Sequence, residues 1–412
     1  MNNFKPSLLL AIICFAFLNC TKGQKADKPY VVLVSFDGFR HDYAKKHPTP
    51  NFTQMSLLGV AAKALIPSFP SKTFPNHYTI VTGLYPSKHG LVDNAFYDKE
   101  LDLEFSIKNR KSIENPIFYK GKPLWQLVQE NGMKSASCFW VGSETAIGGS
   151  YPDYYFKYKA SMPNSKRIKT VINWLKLPAD ERPQFISLYF SLVDNSGHKS
   201  GPNSVDVKKS ILEADRLLGV LRGELAKLNL NINLIVVSDH GMAEIKPKKV
   251  NYLSEDKLLK GIDKSTFRVI NSGTHAHIYL KDTTQVDRLY QKISIKKSKF
   301  KLYKKANFPK SWQYSQSKRV GDLLLSLPPG YYLSNKVQKK TRGVHGYDPA
   351  KSEDMNGIFY AQGSKIRQVG SIPPFKNIHI YPFIAKILNI THLPEIDGKL
   401  EVLYPYLKIQ KQ

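Results

Sequence analysis

Apolar residues run without interruption from Tyr30 to Val34 in KPYVVLVSFDG, and similar runs recur in PQFISLYFSLVD from Pro183 and LNINLIVVSDHG from Leu228. A strand with one wet face alternates apolar and polar residues. Continuous runs of this length therefore predict strands covered by helices on both faces. Each run ends in an acidic residue just past the strand, and the carboxyl ends of strands in open α/β sheets are where ligands collect. Between the runs, GKPLWQLVQENG and SKRIKTVINWLKL have amphipathic helical spacing, and VDVKKSILEADRLLGVLRGELAKLN reads as a long helix. Later, AHIYL, FKLYKKA, GDLLLSL and GIFYAQG read as strands, DTTQVDRLYQKI as a short helix and YPFIAKILNI as a final apolar helix. The pattern predicts an α/β fold with a central sheet, mixed and mostly parallel, between two helical layers. LPPGYY and GYDPAKSED read as loops, and no internal repeat or low-complexity linker interrupts the chain. Residues 29–412 are accordingly expected to form a single domain, with a peripheral or inserted region about 246–332.

The N-terminus follows a different rule. Lys5 precedes LLLAIICFAF, which stops abruptly at the polar TKGQKADK. That apolar run is shorter than the about 20 residues a spanning helix needs. It reads as an export signal over residues 1–20 with a tether over 21–28. FLNC admits lipoprotein cleavage with Cys20 lipidated, as the alternative to ordinary cleavage, and a buried N-terminal helix is the remaining reading. Membrane contact is expected only in the lipidated case. Cys138, in the apolar SASCFW, is the one cysteine of the body and is expected to be a buried structural thiol. The formal net charge of +28 admits nucleic-acid binding. The lysines are scattered, however, with no recognition module and no basic stripe interleaved with aromatics. No stable nucleic-acid partner is expected, and the charge is read as a bias towards anionic substrates or surfaces.

Oxygen and imidazole ligands stand in four separated places: Asp37 in SFDG, Asp194 and His198 in DNSGH, Asp239 and His240 in SDHG, and His345 in GVHGY. Asp oxygens and neutral imidazoles suit zinc or a similar divalent ion. Three Asp and three His exceed one tetrahedral ion and, with one more oxygen, would serve two. Two such ions activate a nucleophile and stabilise a leaving oxygen in phosphoryl transfer. Each element alone has a plain alternative, because an Asp after a strand is often a helix cap and an isolated His often a packing group. His275 and His277 in GTHAHIYL alternate like strand side chains and are not expected to bind metal. Thr73, in FPSKTFPNHYTIVTG between Pro70 and Pro75, supplies the missing oxygen. Its hydroxyl would sit near a helix N-terminus, which favours anions. Thr73 as nucleophile and Thr73 as a simple N-cap both stay open on this reading.

SFDGFR, FPSKTFPNHYTIVTGLYPSKHGLVDNAFYD, DNSGHKSGP, VVSDHGM and GVHGYDP…MNGIFYAQG occur in that order. From about Tyr30 to Ile387 the chain resembles the nucleotide pyrophosphatase/phosphodiesterase family of the alkaline phosphatase superfamily. It looks like a bacterial member consisting of the catalytic domain alone. The resemblance implies an alkaline-phosphatase-like fold and two Zn²⁺ ions per chain. Asp37, Thr73, Asp239 and His240 would hold one ion, and Asp194, His198 and His345 the other. It further implies that Asn94 binds a phosphoryl oxygen together with the Thr73 N–H, and that Phe74, Tyr189 and Tyr158 line a nucleobase slot. His77 receives no role. An exported, monomeric enzyme of the bacterial periplasm, or an outer-membrane or cell-surface lipoprotein, is the implied setting.

The reaction so implied is hydrolysis of nucleotide phosphodiester and phosphoanhydride bonds through a phospho-threonine, releasing a nucleoside 5′-monophosphate. The main alternative is a choline-phosphate phosphodiesterase acting on lysophospholipid or glycerophosphocholine, since aromatics also bind quaternary ammonium groups. Asp153 and Glu144 stand near the segment where its acidic groups would be needed. A phosphomonoesterase is third. A non-catalytic nucleic-acid- or phosphate-binding surface protein is the alternative from another class.

Overall fold

The three apolar runs become the middle of one eight-stranded sheet. In chain order its first six strands are β1 (Pro29–Phe36), β2 (Val60–Ala62), β3 (Ser135–Cys138), β4 (Tyr154–Phe156), β5 (Phe185–Phe190) and β6 (Asn231–Val237). The next four, β7 (Phe267–Asn271), β8 (His275–Leu280), β9 (Lys301–Lys304) and β10 (Leu323–Ser326), form a separate antiparallel sheet in the order β7-β8-β10-β9. β11 (Phe359–Gly363) and β12 (Gly370–Ile372) return to the main sheet, whose order is β12-β2-β11-β6-β1-β5-β3-β4. Only β11 runs antiparallel to its neighbours. This is the mixed, mostly parallel sheet that the sequence predicts. The computed structural model describes residues 28–408, apart from 247, 249–250, 297–298 and 338–340. The expected export signal over 1–20, lipidation at Cys20 and nearly all of the tether over 21–28 lie outside the described residues. Among the described residues no helix is long and apolar enough to cross a membrane.

Every residue of β1 is buried, because its alternate side chains enter two different cores. Val31 and Leu33 pack with Tyr78, Ile80 and Val81 of one helical layer and with Phe383 and Ile384. Val32 and Val34 pack with Phe52, Ile172 and Leu217 of the other. Each such side chain contributes about 1.5–3 kcal/mol on burial, which is why the run shows no polar alternation. Pairing then aligns the strand ends: Phe36 of β1 lies opposite Phe190 of β5, and Ser35 lies opposite Val237 of β6. Asp37 and Asp239 thus leave the sheet at one edge, together with the turn leading to Asp194. The second sheet has its own apolar cluster, built around Ile278, Leu289, Ile293 and Leu325. Cys138 is a buried free thiol, and burial pushes its pKa up to about 12.

Candidate active site

Thr73 is the first residue of a helix spanning Thr73–Thr82, and Lys72 before it is extended at φ −115° and ψ 154°. Asn76 holds the preceding turn: its Oδ1 accepts from Ser68 N at 2.7 Å, and its Nδ2 donates to Pro70 O at 3.0 Å and Lys72 O at 2.9 Å. The capping position belongs to Lys72, so the Thr73 side chain is not used as an N-cap. Its Oγ1 instead lies 3.1 Å from His240 Nε2. The first-turn N–H groups of such a helix carry partial positive charge towards an anion.

Around this hydroxyl the strand ends bring the predicted ligands together. Asp37 follows β1, and Gly38 beyond it has φ +70°, where an added Cβ would meet the Asp194 Cα at 2.9 Å. Only glycine permits that approach. Asp194 and His198 occupy successive turns of the helix Leu192–Ser200, with Oδ1 and Nε2 3.4 Å apart. The Nδ1 atoms of His198, His240 and His345 each lie 2.8 Å from a backbone carbonyl, those of Gly343, Gly241 and Ser71 respectively. A carbonyl only accepts, so in the neutral imidazoles Nδ1 carries the proton and Nε2 presents a lone pair inward. His198 and His345 face each other Nε2 to Nε2 at 3.2 Å. His240 Nε2 lies 3.0 Å from Asp239 Oδ2 and 3.5 Å from Asp37 Oδ1.

Lone pairs therefore converge on lone pairs. Asp37 Oδ1, Asp194 Oδ1 and Asp239 Oδ2 are buried without a hydrogen-bond partner, an arrangement costing several kcal/mol per group unless cations compensate it. Burial, with Asp239 and Asp194 nearby, pushes Asp37 well above the ordinary carboxylate value. Burial works in the same sense on Asp239, but His240 and His77 outweigh it and hold that carboxyl well below its ordinary value. For His240 burial works downward and the Asp239 charge prevails, raising it. His345 is driven well below the ordinary imidazole value by burial, with His240 and Lys72 adding to the effect. The donor set fits divalent cations on all three counts: orphaned carboxylate oxygens, inward imidazole lone pairs and crowded acids. Asp194, His198 and His345 form one group with ligand atoms within 4.8 Å of one another; Asp37, Asp194 and His240 form an adjoining one, as do Asp37, His77 and Asp239.

Next to this helix, Asn94 Oδ1 accepts the Phe74 N–H at 2.9 Å, which joins it to the helix that starts at Thr73. The Phe74 ring is half-buried and packs obliquely on Phe105, with centroids 5.9 Å apart. The Tyr189 hydroxyl donates to Asp37 Oδ2 at 2.6 Å, so this residue reaches the acid cluster as well as the expected slot. Its ring meets the exposed ring of Tyr158 edge-on at 6.1 Å. Tyr158 is held from behind, where its N–H donates to Glu144 Oε2 at 2.7 Å, and Glu144 pairs with Arg110. Asp153 is taken up elsewhere, accepting from Ser135 N at 2.9 Å.

Three neighbours escape the sequence reading. His77 stands one helical turn after Thr73; its Nδ1 donates to Thr73 O at 3.0 Å and its Nε2 accepts from Ser35 Oγ at 2.8 Å. The four-residue spacing was the available signal for it. Lys72 is half-buried against the second sheet, donating from Nζ to Ser272 O at 3.0 Å, and desolvation lowers its pKa. Asp93 lies fully buried behind Asn94 with His275 at 2.8 Å. Nothing in DN by itself distinguishes this arrangement from a turn.

The sequence matches the family described as type I phosphodiesterase/nucleotide pyrophosphatase over residues 31–348. It is 36% identical over 381 residues to human ectonucleotide pyrophosphatase/phosphodiesterase family member 1, covering 89% of this chain and 41% of that protein. Venom phosphodiesterase 2 of Crotalus adamanteus is 34% identical, covering 88% of this chain and 46% of that protein. The chain thus spans less than half the length of these relatives. Murine ectonucleotide pyrophosphatase/phosphodiesterase 5, solved as an inactive threonine-to-alanine variant in complex with AMP, superposes with a TM-score of 0.85 at 32% identity. That match covers 92% of this chain and all of the other. The alkaline-phosphatase-like fold expected from the motifs is the fold observed. The bacterial origin, and with it the periplasmic or cell-surface lipoprotein location, is corrected: the similar proteins are from mammals and snake venoms. That expectation leaned on a short FLNC match, which is not a property of the catalytic fold.

Proposed function

Because the chain belongs to the type I phosphodiesterase/nucleotide pyrophosphatase family, we propose that it hydrolyses phosphodiester and phosphoanhydride bonds of nucleotides, releasing a nucleoside 5′-monophosphate. The observation that carries this reading is the Thr73 hydroxyl, 3.1 Å from His240 Nε2, at a helix start facing buried carboxylate oxygens that have no partner. Asp37, Thr73, Asp239 and His240 would hold one zinc, and Asp194, His198 and His345 a second, from a mixed oxygen and imidazole set suited to that ion. Bound there, the ions would lower the pKa of a hydroxyl or water and neutralise phosphoryl charge.

Thr73 Oγ1 attacks phosphorus in line, the bond to the leaving oxygen breaks, and the nucleoside phosphate is left as an ester of Thr73. Water then cleaves that ester, returning the hydroxyl and releasing the monophosphate. The Thr73 N–H and the Asn94 carboxamide Nδ2 stabilise charge on the remaining phosphoryl oxygens. Among the described residues no acid is assigned to protonate the leaving group, so pyrophosphate and other good leaving groups are favoured. Phe74, with Tyr189 and Tyr158 opposite, supplies aromatic faces for a base. The AMP held by the murine relative supports a nucleotide over a choline ester, and pairing of Glu144 with Arg110 leaves that carboxylate already neutralised.

The deciding experiment compares rates on the nitrophenyl ester of a nucleoside monophosphate, nitrophenyl phosphate and nitrophenyl phosphocholine, with and without chelator. Preference for the nucleotide diester, lost with chelator, is expected. A faster choline ester would overturn the substrate assignment.

A further inference from the structure

The oxygen of the Asn94 carboxamide accepts a backbone N–H, that of Phe74. A backbone N–H can only donate, so Oδ1 faces the helix and Nδ2 points away, free for another acceptor. Among the described residues that Nδ2 meets no protein acceptor. What keeps Asn94 in this pose is the residue before it. Asp93 is fully buried; its Oδ1 accepts the Asn94 N–H at 2.7 Å. Its Oδ2 accepts from Ser272 Oγ at 2.5 Å and from His275 Nε2 at 2.8 Å. His275 Nδ1 lies 3.1 Å from Thr274 Oγ1, which can donate to it, placing the imidazole proton on Nε2.

Ser272, Thr274 and His275 belong to the second sheet, at the hairpin turn between β7 and β8. That turn is pinned by Gly273 at φ +79°, where a Cβ would run into the Tyr332 ring. Ser272 grips both flanks of the nucleophile: its hydroxyl holds Asp93, and its carbonyl accepts Lys72 Nζ, one residue before Thr73. His277 completes the enclosure with Nδ1 accepting the Gly321 N–H at 3.2 Å, so its protonated Nε2 faces Tyr314 Oη at 3.3 Å and Asp93.

We infer that Asp93 is a positioning residue for phosphoryl transfer, anchored by Ser272 and His275 of the second sheet so that Asn94 aims its Nδ2 at the phosphoryl oxygen. The inference rests on the assignment of Asn94 to that oxygen in the proposed reaction. Because a small misplacement of a positioned group costs rate rather than binding, the effect should fall on kcat.

The test is a double-mutant cycle on the nucleotide nitrophenyl ester, with metal content and melting temperature measured for every variant. Asp93→Asn is expected to lower kcat about tenfold to a hundredfold and Ser272→Ala about tenfold, with KM and metal content unchanged. Ser272→Ala is the mild change, since it keeps the carbonyl that holds Lys72, and Ser272→Thr should recover most of the rate. In an Asn94→Ala background the same substitutions should cost less than about twofold, because their route of action is already gone. Wild-type kcat in both Asp93→Asn and Ser272→Ala, or full additivity with Asn94→Ala, would overturn the inference while leaving Asn94 in place. An Asn94→Ala enzyme with wild-type kcat would instead overturn the assignment of Asn94, and the positioning role with it.

Discussion

Asp194, His198 and His345 at the sheet edge, and Asp93, His275 and His277 beneath the second sheet, are each one carboxylate with two imidazoles, their nearest ligand atoms within 4.8 Å. Chemically the lists are identical, yet the two sites are opposites. At the sheet edge both imidazoles spend their protons on outside carbonyls and turn lone pairs on each other, while Asp194 Oδ1 has no donor. In the other cluster the protons point inward: His275 Nε2 and Ser272 Oγ donate to Asp93, and the second nitrogen of each ring is satisfied from outside. One arrangement is short of positive charge and the other is closed. Which nitrogen carries the proton decides this, and the second-layer partner of each ring decides that. A list of Asp and His ligands does not define a metal centre; the unspent lone pairs do.

The largest expected effect isolates chemistry from metal. Thr73→Ala should reduce turnover of the nucleotide nitrophenyl ester by more than about a thousandfold, with elemental analysis still finding close to two ions per chain. Substantial activity in that variant would remove Thr73 as nucleophile. Next, His198→Ala should lose about one ion per chain and at least about a hundredfold in rate; unchanged stoichiometry would place the second ion elsewhere.

A third prediction reads the closed cluster through pH. Burial works to raise Asp93, but His275 outweighs it and the carboxyl lies well below its ordinary 3.8. Burial, against the pull of Asp93, leaves His275 below its ordinary 6.5. Both groups bind protons less readily when folded than when unfolded. Their contribution is therefore present at neutral pH and is lost as pH falls, first below 6.5 for the imidazole and then below 3.8 for the carboxyl. Asp93→Asn should cost about 2 kcal/mol in urea unfolding at pH 7, and the gap from wild type should narrow at pH 4 and below. A gap that widens towards acid would show that Asp93 is not held ionised. The smallest effect belongs to His277→Gln: metal content should stay at wild type, and a lost ion would make the closed cluster a metal site after all.

How much of this was legible beforehand differs by residue. The three acids of the candidate site were visible because an acid just past a buried strand has a structural address. Asp37, Asp194 and Asp239 follow three runs whose pairing at Phe36, Phe190 and Val237 brings them to one edge. Thr73 was visible as a helix-start hydroxyl, but whether it capped its helix or left the hydroxyl free was not; the Asn76 side chain, tying Ser68, Pro70 and Lys72, settles that locally. The family motif implies Tyr189 only as a wall of a slot, and its hydroxyl bond to Asp37 joins residues 152 positions apart. Asp93 and His275 are 182 residues apart, and neither carries a local pattern that points to the other.

By itself, then, the order of apolar and polar residues determined the layered sheet and which residue types stand at its edge, because strand burial and helix periodicity are local properties of the chain. Tertiary structure alone decided which of two like Asp–His groups is left with unspent lone pairs. That choice is made by carbonyls and hydroxyls of distant segments, Gly343 and Ser71 for one and Ser272 and Thr274 for the other, and a hydrogen bond's direction is set only when both partners are in place.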